Sequence, residues 1–267
     1  MKIRVALLIM TLALLMSGCD NRESKKENGS GYNKGDEIIE MTDEEITLLC
    51  GFYVNEDRIR EGKLHDYQKE TLEEFRMAKS YLQEKYPGYT YDFFSISPSD
   101  KTQSYTKVEF TIDESSGYYS VMVELLNGEY VVTDNFYGYV LGAAFDEMLE
   151  QKLSEAGLTD FGVHAGLSGF VGKDIDANTT MDELLALGST IKIDITVWID
   201  MPGLDENENQ KKVALIESTV RELEIYGGHI VYFGEGVVNS CHTFEDFVEY
   251  RKKNSLESVS FNTFDMR

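Results

Sequence analysis

The chain has 267 residues, of which 48 are acidic and 25 are Lys or Arg, so its formal net charge at pH 7 is −23. Such an acidic surface repels nucleic acid, which proteins bind mainly through Lys and Arg, and we expect no nucleic-acid partner. An apolar content of 42%, with 12% aromatic residues, excludes a disordered chain and predicts packed cores. A chain of this length favours two domains.

The N-terminus has the pattern of a secretory signal. Two basic residues precede an apolar run over residues 5–16, which is shorter than the ~20 residues that a membrane-spanning helix needs. The small residues Ser17 and Gly18 then suit a signal peptidase. Cys19 follows them directly.

With Cys19 after Ser17 and Gly18, and Met16 where Leu is usual, this segment resembles a bacterial lipoprotein signal. The resemblance implies that residues 1–18 are removed and that the Cys19 sulfur carries a diacylglycerol. It therefore predicts a lipid-anchored protein on the extracytoplasmic side of the cell membrane. An ordinary signal peptide with an incidental cysteine is the alternative.

Residues 19–36 are predicted to be a flexible tether, since they are almost entirely Gly, Ser, Asn and charged residues. Thr42 and Glu45 then form a capping-box pattern that predicts a helix from about residue 43. A second helix is predicted over residues 66–86, where Pro87 and Gly88 end it. Its apolar stripe consists of Tyr67, Leu72, Phe75, Ala78, Tyr81 and Leu82.

After this helix the apolar period changes from 3.6 to 2, which predicts strands. The predicted strands are residues 89–97, 105–113, 117–126 and 129–134. Asn127-Gly128 is the strongest hairpin signal, because both residues tolerate positive φ. A helix on such a meander resembles the cystatin-like and nuclear-transport-factor-like folds, and the resemblance covers residues 66–134. Residues 37–137 are therefore predicted to be a cystatin-like domain.

Residues 138–267 have a mixed pattern and are predicted to be a second, α/β domain. Its predicted helices are residues 139–156, a short one opened by the Thr180–Glu183 capping box, 206–226 and 244–253. Its predicted strands are residues 160–165, 190–200, 229–233 and 256–264, with a glycine-rich loop after the first. The helix over 206–226 is long enough for a crossover, so we expect parallel strands on either side of it. The predicted fold class is α+β: a helix on a four-stranded antiparallel meander, followed by a mixed α/β domain.

Cys50 and Cys241 are the cysteines that remain after Cys19. An extracytoplasmic pair can form a disulfide. Cys50, however, shares a helical face with Ile46 and Leu49, which favours a buried thiol. We therefore expect both thiols to be free, with a bridge as the alternative.

No catalytic motif is complete. Gly172-Lys173 lacks the hydroxyl residue and the spacing of a phosphate-binding loop. Gly166-Leu167-Ser168-Gly169-Phe170 lacks the second glycine of a nucleophile elbow, although His164 is near in sequence. The four histidines lack zinc-ligand spacing. These observations predict a protein that is not an enzyme.

A weak calcium candidate lies in the stretch DIDANTTMDELL. Asp174, Asp176, Asn178 and Asp182 occupy the first, third, fifth and ninth positions of an EF-hand loop. The glycine of position 6 and the glutamate of position 12 are missing, since Thr179 and Leu185 stand there. We expect a polar segment that leads into a capped helix, and no cofactor, with calcium as the alternative.

The sequence thus favours a lipid-anchored envelope protein that acts as a non-catalytic binding module. Its expected partners are the membrane, through Cys19, and an envelope protein, a peptide or a polymer. An extracytoplasmic hydrolase that uses paired carboxylates and a calcium-dependent binding module are the alternatives.

Overall fold

A computed structural model describes residues 37–113, 115–200 and 206–263. It confirms the α+β prediction, because two four-stranded sheets follow each other along the chain and each has helices packed on it. The signal peptide, the tether and Cys19 lie outside the described residues. In the part of the chain that the structure describes, no helix is long and apolar enough to cross a membrane.

The first sheet is the predicted antiparallel meander, in the order β1-β2-β3-β4. Asn127 and Gly128, with φ of 54° and 88°, form the tight turn between its last two strands. The elements of this half are α1 (Asp43–Phe52), α2 (Glu56–Arg60), α3 (Asp66–Lys85), β1 (Tyr91–Ser97), β2 (Tyr105–Ile112), β3 (Ser115–Leu126) and β4 (Glu129–Asp134).

Helix α3 packs its apolar stripe on this sheet. Phe75, Ala78 and Leu82 are buried against inward-facing residues of the sheet such as Val108 and Phe110. The predicted stripe was wrong at one position: Tyr67 is 51% exposed. It lies in the first turn of α3, where its ring stacks on His65 instead.

The second sheet has the order β5-β6-β7-β8. Strands β6 and β7 are parallel, as the long helix between them predicted, and the other two pairings are antiparallel. The elements of this half are α4 (Tyr137–Glu155), β5 (Phe161–Ser168), α5 (Met181–Leu185), β6 (Lys192–Asp200), α6 (Glu206–Glu222), β7 (Gly228–Gly234), α7 (Val237–Ser240), α8 (Phe244–Lys253) and β8 (Glu257–Asn262).

Strand β5 is longer than the sequence predicted. Residues 166–168, which the glycine pattern assigned to a loop, continue the strand and pair with residues 192–194 of β6. Glycine has a low strand propensity, but pairing with a strongly apolar neighbour outweighs that preference here. The extension gives the second sheet a glycine-rich edge strand.

The second sheet is covered on both faces. One face packs against α4, α5 and α6, and Ile191, Ile193, Ile195, Val197 and Ile199 are all buried there, as predicted. On the other face, the ring of Trp198 is buried beneath Phe247 of α8, with ring centroids 4.8 Å apart. The predicted domain boundary at residue 137 falls at the start of α4, between the sheets, and the division into two domains stays a prediction.

A buried ion pair links the two halves of the chain. Lys85, at the end of α3, donates to Asp134 at the end of β4 over 2.6 Å, and both side chains are buried, at 3% and 0% exposure. The ammonium also donates to the hydroxyl of Tyr81 at 2.8 Å and to the carbonyl of Gly172 at 2.7 Å. Its three protons therefore have three acceptors, one of which belongs to the second half.

The Asp134 carboxylate is equally well bonded. Oδ2 accepts from the Tyr81 hydroxyl at 2.7 Å, and Oδ1 accepts from the amides of Phe136 and Tyr137 at 2.8 and 3.1 Å. Those amides open α4, where the helix dipole also favours a negative charge. The Asp134 backbone forms a two-bond bridge with Val171. Burial lowers the pKa of Lys85 and Asp134 opposes that effect.

We expect Asp134→Asn to lower the free energy of unfolding by about 3–5 kcal/mol, because it leaves the buried Lys85 ammonium without its anion. Urea unfolding followed by circular dichroism measures the change. The control is Glu249→Gln, which removes an ion pair with Lys252 that is more than half exposed and should leave the free energy of unfolding nearly unchanged. A loss below about 1 kcal/mol in Asp134→Asn would contradict the account of this pair.

His229 on β7 is buried, at 1% exposure, and its hydrogen bonds define its tautomer. The Thr263 hydroxyl donates to the carbonyl of Ile225 at 2.6 Å, so it accepts from Nε2–H of His229 at 2.9 Å. Nδ1 has no hydrogen-bond partner among the described residues. Burial lowers the pKa of His229 to about 4, and the charge of Asp194 only partly offsets the effect.

The unfolded chain therefore takes up a proton at His229 near pH 6.5, before the folded chain does. The contribution of neutral His229 to stability is complete above that pH and is lost as the pH falls towards 4. Between pH 7 and pH 5 we expect a loss of about 2 kcal/mol from this group. Urea unfolding at both pH values measures the free energy of unfolding. Its decrease from pH 7 to pH 5 should be smaller by that amount in His229→Gln, which keeps the donor to Thr263. An equal drop in the two proteins would contradict this assignment.

Candidate functional site

A groove of about 890 Å³ runs along β5. One wall is the exposed side of α4, and the other is the segment from α7 to the first turn of α8. Residues 161–169 form its floor, and Tyr118, Tyr119 and Tyr139 stand at one end. This α4–β5 groove brings together parts of both halves of the chain.

Small residues on α4 leave room for the groove. Gly138 has a packing reason to be glycine, because a Cβ there would lie 2.8 Å from the carbonyl oxygen of Leu167. Gly142, one turn later, has none: a Cβ there would have no atom within 4 Å. Glycine in a helix interior costs roughly 0.5–1 kcal/mol relative to alanine. The fold does not require Gly142, and its position faces the groove.

On the floor, Gly162 has a clear packing role. A Cβ on Gly162 would lie 2.2 Å from the ring of Trp198, so the missing side chain admits the ring. Trp198 also lines the groove, and it is the only tryptophan in the sequence. Its Nε1–H is buried and has no hydrogen-bond partner among the described residues.

An aspartate–histidine pair sits on the floor. Asp146 of α4 accepts from His164 Nδ1 at 2.9 Å through Oδ2, and from the amide of Ala165 at 2.6 Å through Oδ1. The His164 ring stacks on Phe244 of α8 at 3.9 Å between centroids. Because the carboxylate accepts the Nδ1 proton, Nε2 of the neutral ring is an acceptor. The pair thus orients an imidazole between the two walls.

Ser168 and Cys241, which line the groove, are not activated for nucleophilic attack. Ser168 lies four residues from His164 on the same strand, about 13 Å away, and its hydroxyl donates to the carbonyl of Lys192. Cys241 is buried, and burial raises the pKa of its thiol. A reactive cysteine needs a lowered pKa. Neither the position of Ser168 nor the thiol pKa of Cys241 is therefore that of an activated nucleophile.

Among the described residues, the formally charged side chains that line the groove are all carboxylates. Among its described lining residues are four carboxylates, Asp146, Glu147, Glu150 and Glu245, and no Lys or Arg. Three of the four project from one side of α4. The lining therefore offers a negative potential beside the rings of Tyr139 and Phe244.

The structure does not bring the calcium candidates together. In the described ranges, no three His, Cys, Asp or Glu side chains are grouped to hold a metal ion. Asp176 accepts from the amide of Asn178, two residues on, at 2.8 Å, as in a polar turn. Asp182 lies in α5, which the capping box of Thr180 and Glu183 opens. Asp174 is exposed and lies near Lys85 and Tyr81.

Cys50 and Cys241 are both free thiols in the structure. Cys50, on α1, is half-buried. It packs in a small core with Ile46 and Leu49, the residues with which the sequence predicted a shared helical face. Cys241 packs with Trp198 and Phe247 on the other face of the second sheet. Cys19, the predicted lipid attachment site, lies outside the described residues.

Sequence reasoning missed most of the groove. Asp146 stands among the 48 acids of the chain, and nothing in its local sequence separates it from the others. His164 was considered only as a partner of Ser168, whereas its partner comes from α4. One signal was available: Gly142 interrupts an otherwise regular helical pattern without ending it.

No protein-family model, curated protein or solved structure matches this chain.

Proposed function

We propose that this protein is a lipid-anchored lipoprotein of the bacterial cell envelope that acts as a non-catalytic binding module. Its lipid is attached to Cys19, residues 19–36 form the tether, and the described unit faces the extracytoplasmic space. The ligand, an envelope protein, a peptide or a polymer, lies in the α4–β5 groove.

The proposal of an anchor depends on the N-terminal sequence. An apolar run too short to span a membrane, followed by Ser17, Gly18 and Cys19, is the pattern of a lipoprotein signal. Two or more acyl chains hold a protein on a membrane stably, whereas a single chain does so only marginally.

Gly142 is the observation that carries the proposal of a binding groove. It lies in the interior of α4, where glycine disfavours the helix, and no neighbouring atom requires its small size. Any larger side chain there would extend into the groove. A site that must stay open for a ligand explains this glycine, and the packing of α4 does not.

We expect Cys19→Ala to abolish lipidation, because the thiol is the acceptor of the diacylglycerol. Cells fed an alkynyl palmitate analogue should label the wild-type protein and not the variant. Cys50→Ala, which leaves the proposed acceptor in place, is the matched control and should stay labelled. Label that survives in Cys19→Ala would refute the anchor.

We expect Gly142→Leu to block the groove without harming the fold. Leucine favours the helix by up to about 1 kcal/mol over glycine, so the variant should be at least as stable as the wild type. Immobilised residues 20–267, which retain the whole described unit, would capture ligands from envelope extract. A component captured by the wild type should be lost in Gly142→Leu.

The control is Gly51→Leu, since a Cβ at Gly51, on helix α1, also meets no atom within 4 Å. This variant should capture the same component as the wild type. If Gly142→Leu and Gly51→Leu both retain it, the ligand binds elsewhere and the proposed site is wrong.

A further inference from the structure

We propose that the occupant of the α4–β5 groove is an extended basic peptide segment, whose Lys or Arg side chains contact Glu147 and Glu150. This inference rests on the proposed function and names the class of its ligand. Three features carry it: the unpaired carboxylates of the groove, the unpartnered donor on its floor, and its length.

The first feature is a set of carboxylates without cations. Glu147, Glu150 and Glu245 are exposed and make no ion pair with a described residue, whereas Glu155, further along α4, pairs with Lys152. Glu147 and Glu150 are three residues apart on one side of the helix, where like charges disfavour it slightly. A cationic ligand would relieve that repulsion.

The second feature calls for a hydrogen-bond acceptor. Trp198 is 3% exposed and lines the groove, and its Nε1–H lacks a partner among the described residues. A buried donor without an acceptor costs about 1–3 kcal/mol. A peptide supplies a carbonyl at every residue, and such a carbonyl would satisfy the indole once the atoms that cover Nε1 move aside. A simple polyamine carries positive charge but no acceptor of this kind.

The third feature is the length of the floor. The groove is lined by nine consecutive residues, 161–169. At ~3.3 Å per residue this is about 30 Å, enough for roughly eight residues of an extended peptide. Tyr139 and Phe244 line the groove and offer aromatic rings on which a guanidinium can stack.

Trp198 also makes the site observable, because it is the only tryptophan of the chain. Hexa-arginine capped at both termini would be titrated into residues 20–267 at 150 mM salt, with tryptophan emission as the readout. We expect a saturable change in emission. The same titration with capped hexa-citrulline, which is neutral but otherwise similar, should give none.

The double variant Glu147→Gln, Glu150→Gln tests whether these two carboxylates bind the basic side chains of the peptide. The matched control is Glu70→Gln with Glu73→Gln, two exposed acids with the same spacing on α3 that lie outside the groove. Both variants lose two charges, so a general attraction between an acidic protein and a basic peptide falls equally in each. We expect the Kd to rise at least about tenfold in the groove variant and less than about twofold in the control. Gly142→Leu should abolish the emission change.

An equal rise of Kd in the groove variant and in the control would show general attraction only, and would overturn the proposal. So would the lack of any emission change, or binding of hexa-citrulline as strongly as hexa-arginine. If hexa-arginine fails while Gly142→Leu still abolishes capture of a component from envelope extract, the groove is a binding site and only the basic-peptide class is wrong. If capture is also insensitive to Gly142→Leu, the proposed function fails with it.

Discussion

The buried pair of Lys85 and Asp134 is the interaction on which the rest of the structure depends. Charges taken out of water are tolerated only when every proton and lone pair finds a partner. Here the partners of the two charges come from α3, from the start of α4 and from the Gly172 carbonyl, while Val171 bonds the backbone of Asp134. Because none of these segments can move away without exposing a buried charge, one ion pair fixes the two halves of the chain against each other.

The groove follows from that constraint. The Asp134 carboxylate bonds the first amides of α4, and α4 then runs beside β5, with Gly138 against Leu167 and Asp146 bonded to Ala165. The carboxylate of Asp146 accepts a hydrogen bond from an amide of the edge strand β5 and also orients the ring of His164. One side of α4 closes the core, while the other side, with Gly142, Glu147 and Glu150, is left as a wall.

The sequence predicted what depends on local pattern. The α+β class, the meander, the turn at Asn127-Gly128 and the parallel β6–β7 pair follow from periodicity, turn residues and helix length. The extension of β5 through Gly166 was missed, because pairing with β6 is a long-range effect that local propensity does not encode. The bonds from Asp146 to His164 and from Lys85 to Asp134 were missed for the same reason, since their partners are 18 and 49 residues apart.

Scanning calorimetry of residues 20–267 measures whether one buried ion pair joins both sheets into a single cooperative structure. If the pair joins the sheets, the protein unfolds in one transition, with a calorimetric enthalpy equal to the van't Hoff enthalpy. Two resolved transitions, one for each sheet and its helices, would mean that the halves are stable separately. The ion pair would then not join the two halves, and the groove would not depend on Lys85 and Asp134.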